Sequence, residues 1–98
     1  MSEILEKAAR LITERLNGAA LPHRLCLEVT GEGALFIGPE GVSFAAESPP
    51  EVTIRGAAET FAALLKGETS APAAFMKGKL TVDGDFVTAM KLSGYLSR

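Results

Sequence analysis

The sequence has few of the features that mark secreted, membrane-spanning or disulfide-stabilised proteins. Cys26 is the only cysteine among 98 residues, so no intrachain disulfide can form and a reducing compartment is indicated. The start, Met1-Ser2-Glu3, has no basic segment of the kind that opens a signal peptide. Uninterrupted apolar runs such as 61–65 are far shorter than the ~20 residues that cross a bilayer. We therefore expect a cytoplasmic protein that is not stably inserted in a membrane, although transient membrane contact is compatible with the sequence.

Clustered positive charge is also missing. The ten Lys and Arg residues are scattered singly and the formal net charge is −2. Nucleic-acid binding needs Lys and Arg gathered on one surface, so we exclude a nucleic-acid partner. Apolar residues make up 47% and charged residues 22%, which is ordinary for a folded domain. At this length we expect residues 1–98 to form a single domain.

Catalytic and metal-binding motifs are equally scarce. His23 and Cys26 are three positions apart, but the sequence gives them no third orienting group, so structural roles are indicated. Asp83-Gly84-Asp85 resembles a fragment of a calcium loop, yet the acid that closes a twelve-residue EF-hand loop is absent. A turn followed by a helix cap explains it better. We predict no catalytic residue, no metal, no cofactor and no enzyme activity.

The apolar residues change period along the chain. The first segment has apolar residues at helical spacing up to Leu16 and stops at Asn17-Gly18. Alternating patterns follow, at 24–30, 34–37, 42–47, 52–55 and 79–82, and predict five strands. Further helices are predicted over 57–66 and after Asp85, with a single helical turn over 71–76.

The predicted strands share a consistent parity. One face of the sheet collects apolar residues, namely Leu25, Leu27, Val29, Val42, Phe44, Val52, Ile54, Leu80 and Val82. The other face collects polar ones, among them Arg24, Glu28, Thr53, Arg55 and Thr81. Such a sheet needs helices on its apolar side, which predicts an α+β fold with a five-stranded sheet covered on one face. The second strand is ambiguous, because Phe36 faces opposite to Leu35 and Ile37.

Two segments near the end of the chain are distinctive, namely Phe75-Met76-Lys77-Gly78-Lys79-Leu80-Thr81-Val82-Asp83-Gly84-Asp85 and Ala89-Met90-Lys91-Leu92. Together they resemble the C-terminal signature of the sterol carrier protein type 2 family. The middle section, with Val52-Thr53-Ile54 and then Lys66-Gly67-Glu68, is similar to that family as well. The resemblance is good over about residues 40–96, and it covers the first helix only by pattern. Because the sequence does not end in the peroxisomal signal Ser-Lys-Leu, we expect a small standalone member of bacterial type.

The resemblance implies a mixed, mostly antiparallel sheet and an apolar tunnel between the sheet and the helices. Members of the family bind fatty acids, acyl-CoA esters, sterols or phospholipids without catalysis. This chain departs from the family in two places. The segment 17–23 is too short for a helix that helps to roof the tunnel in animal proteins, and Glu51 stands where the family often has Asp.

We therefore predict a non-enzymatic protein that binds, or binds and transfers, a lipid such as a fatty acid, acyl-CoA, sterol or isoprenoid. Amphipathic position selects the predicted lining residues, which are Ile12, Leu16, Leu64, Phe75, Met76, Phe86 and Met90. Arg15 and Arg24 are the candidate contacts for a lipid carboxylate. The alternative is an interaction or accessory module with the same fold and a filled core, for example one that supports isoprenoid quinone synthesis. A monomer or weak dimer is expected in either case.

Overall fold

The computed structural model describes residues 3–18, 21–45 and 48–96. The chain begins with one helix, continues with four strands and two further helices, and ends with a strand and a helix. In chain order these elements are α1 (Glu3–Leu16), β1 (Leu25–Val29), β2 (Gly33–Gly38), β3 (Gly41–Ser43), β4 (Val52–Gly56), α2 (Ala58–Leu65), α3 (Ala71–Met76), β5 (Leu80–Asp83) and α4 (Phe86–Ser93).

The five strands form one mixed sheet in the order β3-β2-β1-β4-β5. Strands β1 and β4 are parallel, with Leu25 opposite Val52, and the other three pairings are antiparallel. The residues that link β1 to β4 include the β2–β3 hairpin. The predicted fold class is confirmed, including the five strands and the mostly antiparallel pairing.

Alternation along the strands produces the buried face. Leu25 and Leu27 in β1 and Ile54 in β4 are at most 3% exposed, because the helices cover this side. The ambiguity in β2 is resolved in favour of Leu35 and Ile37, which are both buried. Phe36 therefore lies on the opposite face, paired in register with Cys26 and Ser43, where it is half-buried.

The third strand is shorter than predicted. The pattern over 42–47 indicated one strand with Phe44 on the apolar face, but β3 ends at Ser43 and Phe44 is 40% exposed. The Ser43 hydroxyl donates to the Ala45 carbonyl, a local bond that favours a bend over continued pairing. Ala46 and Glu47, the end of the predicted strand, lie outside the described residues.

The helix ends follow the sequence signals. Helix α1 stops at Asn17 and Gly18, which both have positive φ, at 46° and 87°. The Ser70 hydroxyl accepts the Ala73 N–H at the start of α3, and the Asp85 carboxylate accepts the Thr88 N–H at 2.8 Å at the start of α4. The described residues of the connector 17–24 contain no helix, as expected from its length. Within the described parts of the chain, none of the helices combines the length and apolar character needed to cross a bilayer.

Candidate functional site

A small apolar cavity lies between the sheet and the helices. Its volume is about 20 Å³, which is room for about one water molecule. All four helical regions and four of the strands contribute side chains to its wall. The lining consists of Ala8, Ile12, Leu27, Val29, Leu35, Ile54, Phe61, Leu64, Leu65, Ala71, Leu80, Ser93 and Leu96. The one polar side chain, Ser93, is satisfied because its hydroxyl donates to the Met90 carbonyl at 2.8 Å.

A larger groove opens on the surface between α1 and α2. Its volume is about 330 Å³, which falls in the range of about 300–1,000 Å³ typical of small-molecule sites. The lining consists of Ile4, Lys7, Ala8, Leu11, Val29, Ala58, Glu59, Phe61, Ala62, Leu65 and Lys66. Four of these residues, Ala8, Val29, Phe61 and Leu65, also line the internal cavity. One layer of apolar side chains therefore separates the groove from the interior.

The structure places the seven residues predicted as lining in two groups. Ile12 and Leu64 line the internal cavity. Leu16 is buried at the end of α1 and borders a separate surface depression near Pro39. Met90 is half-buried and packs against the core.

The other three predicted lining residues lie on the surface. Phe75, Met76 and Phe86 are 38%, 85% and 41% exposed. The Phe75 and Phe86 rings contact each other, with centroids 4.7 Å apart at a tilted angle. Together with Val87, which is also exposed, they form a patch at the junction of α3 and α4, which we call the aromatic patch.

Small side chains explain this placement. Helix α3 turns Ala71 and Ala74 toward the core, and α4 turns Ala89 and Ser93 toward it together with Leu92. These pairs have the i, i+3 and i, i+4 spacings of a helix face, so the signal was present in the sequence. The prediction gave more weight to large apolar side chains. In these two short helices, however, the small residues allow close approach to the sheet, and Met76 lies away from the interior.

The two predicted head-group arginines do not flank the cavity or the groove. Arg24 pairs with Glu40, with Nη2 and Oε1 3.0 Å apart, and lines a different depression together with Phe36. The Arg24 side chain is the largest cause that holds the pKa of Glu40 below its usual value. Arg15 is half-buried in the last turn of α1. Arg24 is therefore already bound to a carboxylate of the protein itself.

The polar groups that most resemble catalytic ones have structural partners. Glu51 accepts the Arg24 backbone N–H at 3.1 Å and lies 3.1 Å from the His23 ring, so it joins the segment before β1 to the start of β4. The Arg24 N–H is the main cause that lowers the pKa of Glu51. Burial raises the pKa of the Cys26 thiol, although a hydrogen bond with Thr53 opposes the rise. A thiol held in its protonated form is a poor nucleophile.

Metal ligands are not gathered anywhere in the described residues. Within residues 3–18, 21–45 and 48–96, no three His, Cys, Asp or Glu side chains come together as a metal site. Asp85, considered above as part of a calcium-loop fragment, instead accepts hydrogen bonds from the backbone and hydroxyl of Thr88. Those two bonds, the hydroxyl first, lower the pKa of Asp85. The carboxylate acts as a helix cap.

Known proteins with similar sequences or structures have the same architecture. The sequence matches the SCP-2 sterol transfer family over residues 3–97. The sterol carrier protein domain 2 of Helicoverpa armigera superposes with a TM-score of 0.75 at 21% identity, covering 93% of this chain and 84% of that one. Sterol Carrier Protein-2 from Aedes aegypti, in complex with the fatty acid palmitate, has a TM-score of 0.75 at 18% identity, covering 99% and 97%.

A third similar structure is a UbiJ-SCP2 ubiquinone synthesis protein, with a TM-score of 0.62 at 19% identity, covering 97% of this chain and 79% of that one. Among proteins with curated functions, none matches the sequence significantly. At these identities the structural likeness establishes the fold, and the ligand has to be argued from the residues of this chain.

Proposed function

Because this chain belongs to the SCP-2 sterol transfer family, we propose that it binds the apolar chain of a lipid between its sheet and its helices and catalyses no reaction. A carrier needs only to shield the chain from water. Each methylene group that leaves water contributes about 0.8 kcal/mol, so a long chain binds with useful affinity without covalent chemistry.

One observation carries this proposal, namely that the groove and the cavity share part of their walls. Ala8 on α1 and Phe61 and Leu65 on α2 face both spaces. A lipid chain that lies in the groove therefore touches the residues that close the interior. The residues at this boundary are apolar, so a methylene chain meets no desolvated polar group on the way inside.

The cavity has to enlarge before it holds a chain, since its present volume is about 20 Å³. We infer that α1 and α2 move apart and that the groove and the cavity merge. The two helices are packed loosely along the groove, because side chains do not fill it. We therefore expect the helical layer to open there. Because the ligand has a higher affinity for the open form, its binding shifts the protein toward that form.

The test is to obstruct the boundary between the groove and the cavity with a large side chain. Ala8→Trp should place an indole between groove and cavity and weaken binding of dodecanoate at least about tenfold, a loss of about 1.4 kcal/mol. Fluorescence displacement on delipidated protein measures this. The control is Val87→Trp, which adds the same side chain to an exposed position on α4 and should leave affinity unchanged.

Circular dichroism must show that both variants fold. If Ala8→Trp does not, Ala62→Trp blocks the groove from the α2 side without entering the cavity wall. The proposal is wrong if no lipid copurifies with the protein and the delipidated wild type binds neither fatty acids nor fatty alcohols. It is also wrong if the blocked variants bind as well as the wild type.

A second candidate is an interaction or accessory module, as in support of isoprenoid quinone synthesis. The observation that favours it is the nearly filled interior together with the exposed aromatic patch on α3 and α4. Light scattering should then detect a concentration-dependent assembly that Met76→Asp disrupts. Thr81→Asp, an equal charge change at an exposed strand position, is the control. A monomer at all concentrations that binds lipid would rule out self-association and favour the first function.

A further inference from the structure

We propose that Lys7 and Lys66, which we call the basic rim, bind the carboxylate of a single-chain anionic lipid whose tail follows the α1–α2 groove inward. This inference rests on the proposed lipid-binding function and specifies the ligand class and the head-group site. It replaces Arg15 and Arg24 with two residues that line the groove itself.

Helical spacing places Lys7 beside the apolar wall. Ile4, Lys7 and Leu11 follow one another at intervals of three and four residues, so they lie on one face of α1. All three line the groove. A lysine in this position packs its methylene stem along the apolar surface and keeps its ammonium group in water, at the level where a lipid head group would remain.

Lys66 supplies the second ammonium group from α2. It is the C-cap residue of that helix. Its backbone N–H donates to the Ala62 carbonyl at 3.0 Å, and the next N–H, that of Gly67, donates to the Leu64 carbonyl, so the base of the Lys66 side chain is fixed. Leu65, the residue before it, lines both the groove and the cavity. Leu65, at the boundary with the interior, and the positively charged Lys66 are therefore neighbours in sequence, and both line the groove.

The basic rim is available to a ligand. Ion pairs in the described part of the chain engage His23, Arg24 and Arg55, but neither lysine of the rim. Both lysine side chains are exposed. The contrast with Arg24 is direct, because a carboxylate approaching Arg24 would compete with Glu40 for the same guanidinium.

The charge of the groove limits the head group. Glu59 lines the groove as well, so its three ionised side chains carry a net charge of +1, the sum of two lysines and one glutamate. A monoanion such as a fatty-acid carboxylate matches this charge. A head group with several negative charges, such as that of an acyl-CoA, would approach Glu59 with no further cation lining the groove to offset it.

The experiment compares two ligands that differ only in the head group. Dodecanoate and dodecanol are titrated into delipidated wild-type protein and into Lys7→Gln/Lys66→Gln at neutral pH. We expect the double variant to bind dodecanoate about fivefold more weakly and dodecanol equally well. The matched control, Lys77→Gln/Lys79→Gln, removes two exposed lysines near the aromatic patch and should change neither affinity.

A single change of opposite sign sharpens the test. Glu59→Gln removes the negative charge from the groove and should strengthen dodecanoate binding about twofold. Acetate, which has the carboxylate without the chain, should not displace dodecanoate at equal concentration. Displacement by acetate would indicate a general anion site and overturn the proposal.

Two failures are distinguishable. If the wild type binds neither dodecanoate nor dodecanol, the lipid-binding function fails and the head-group site fails with it. If both bind but the rim variant and the control lose dodecanoate affinity equally, or neither loses any, lipid binding stands and the basic rim is overturned. Native mass spectrometry of each variant confirms the stoichiometry of the bound lipid.

Discussion

The protein has apolar surface on two sides, and the two sides differ in depth. The α1–α2 groove has Ile4 and Leu11 at its surface and leads to a wall that it shares with the interior. In the aromatic patch on α3 and α4, Phe75 and Phe86 are exposed about as much as Ile4 and Leu11, and Met76 is 85% exposed. We therefore base the proposed ligand site on its shared wall with the interior and not on the amount of exposed apolar surface.

Side-chain size at the helix–sheet contact produces the difference. Helix α3 packs against β5 and α4 against β4 and β5, with Ala71, Ala74 and Ala89 almost fully buried at these contacts. No residue of the aromatic patch lines the cavity or the groove. Between α1 and α2, by contrast, the small side chains of Ala8 and Ala62 line open space, and this space is the groove.

The largest expected effect concerns stability and compares one residue from each side. Ile12→Ala should lower the free energy of unfolding by about 2–5 kcal/mol, because it removes three carbons from a side chain that lines the cavity. Met76→Ala should change it by less than about 0.5 kcal/mol. Ile12 is 1% exposed and Met76 is 85% exposed. Urea denaturation of both variants gives the two values. Similar losses would mean that the aromatic patch is buried in solution, for instance against a second copy.

Sequence reasoning reached the fold because its signals are local and repeated. Alternation in β1 and β4, the turn at Asn17 and Gly18, and the cap at Asp85 each require only a few neighbouring residues. The orientation of α3 and α4 was not predictable in the same way. Apolar residues occupy more than one face of each helix, and the buried face carries Ala71 and Ala74 in α3 and Ala89, Leu92 and Ser93 in α4.

The groove was missed for a related reason. Lys7 and Glu59 look like ordinary solvated residues on two separate amphipathic helices, and Lys66 looks like the end of one. Only the packing of α1 against α2 brings them to one groove. Arg15 and Arg24 were predicted to lie near the mouth of the tunnel, and no sequence pattern indicated that Glu40 would hold Arg24.

A second prediction tests whether the aromatic patch takes part in lipid binding. Phe75→Ala/Phe86→Ala should lower the free energy of unfolding by about 1 kcal/mol, since it removes one exposed pair of aromatic rings. Dodecanoate affinity should remain within about twofold of wild type, because the ring pair contributes nothing to the shared wall of groove and cavity. Neither phenylalanine lines the cavity or the groove.

The affinity measurement is the informative part of that experiment. A loss of affinity of about tenfold or more, with normal circular dichroism, would restore Phe75 and Phe86 as ligand contacts. It would mean that the lipid enters beneath α3 and α4. The basic rim between α1 and α2 would then lie on the wrong side of the molecule.

The smallest expected effect is a pH dependence of the α3–α4 side that the α1–α2 side does not share. The pKa of Asp85 is lowered from its ordinary value of 3.8, chiefly by the Thr88 hydroxyl and then by the Thr88 N–H. A carboxyl with a lowered pKa stabilises the fold above its unfolded-state value, and that contribution is lost as the pH falls through the lower, folded-state value. Amide-exchange protection in the first turn of α4 should therefore decrease modestly below pH 3.8.

The control variant is Asp85→Asn, which keeps a capping side chain but cannot titrate. Protection of α4 in this variant should therefore vary less with pH. Protection in α1 should respond to acid equally in both proteins. If α4 loses protection in acid to the same extent in Asp85→Asn, the cap does not control this helix, and the tight packing of Ala89 and Ser93 alone holds the α3–α4 side closed.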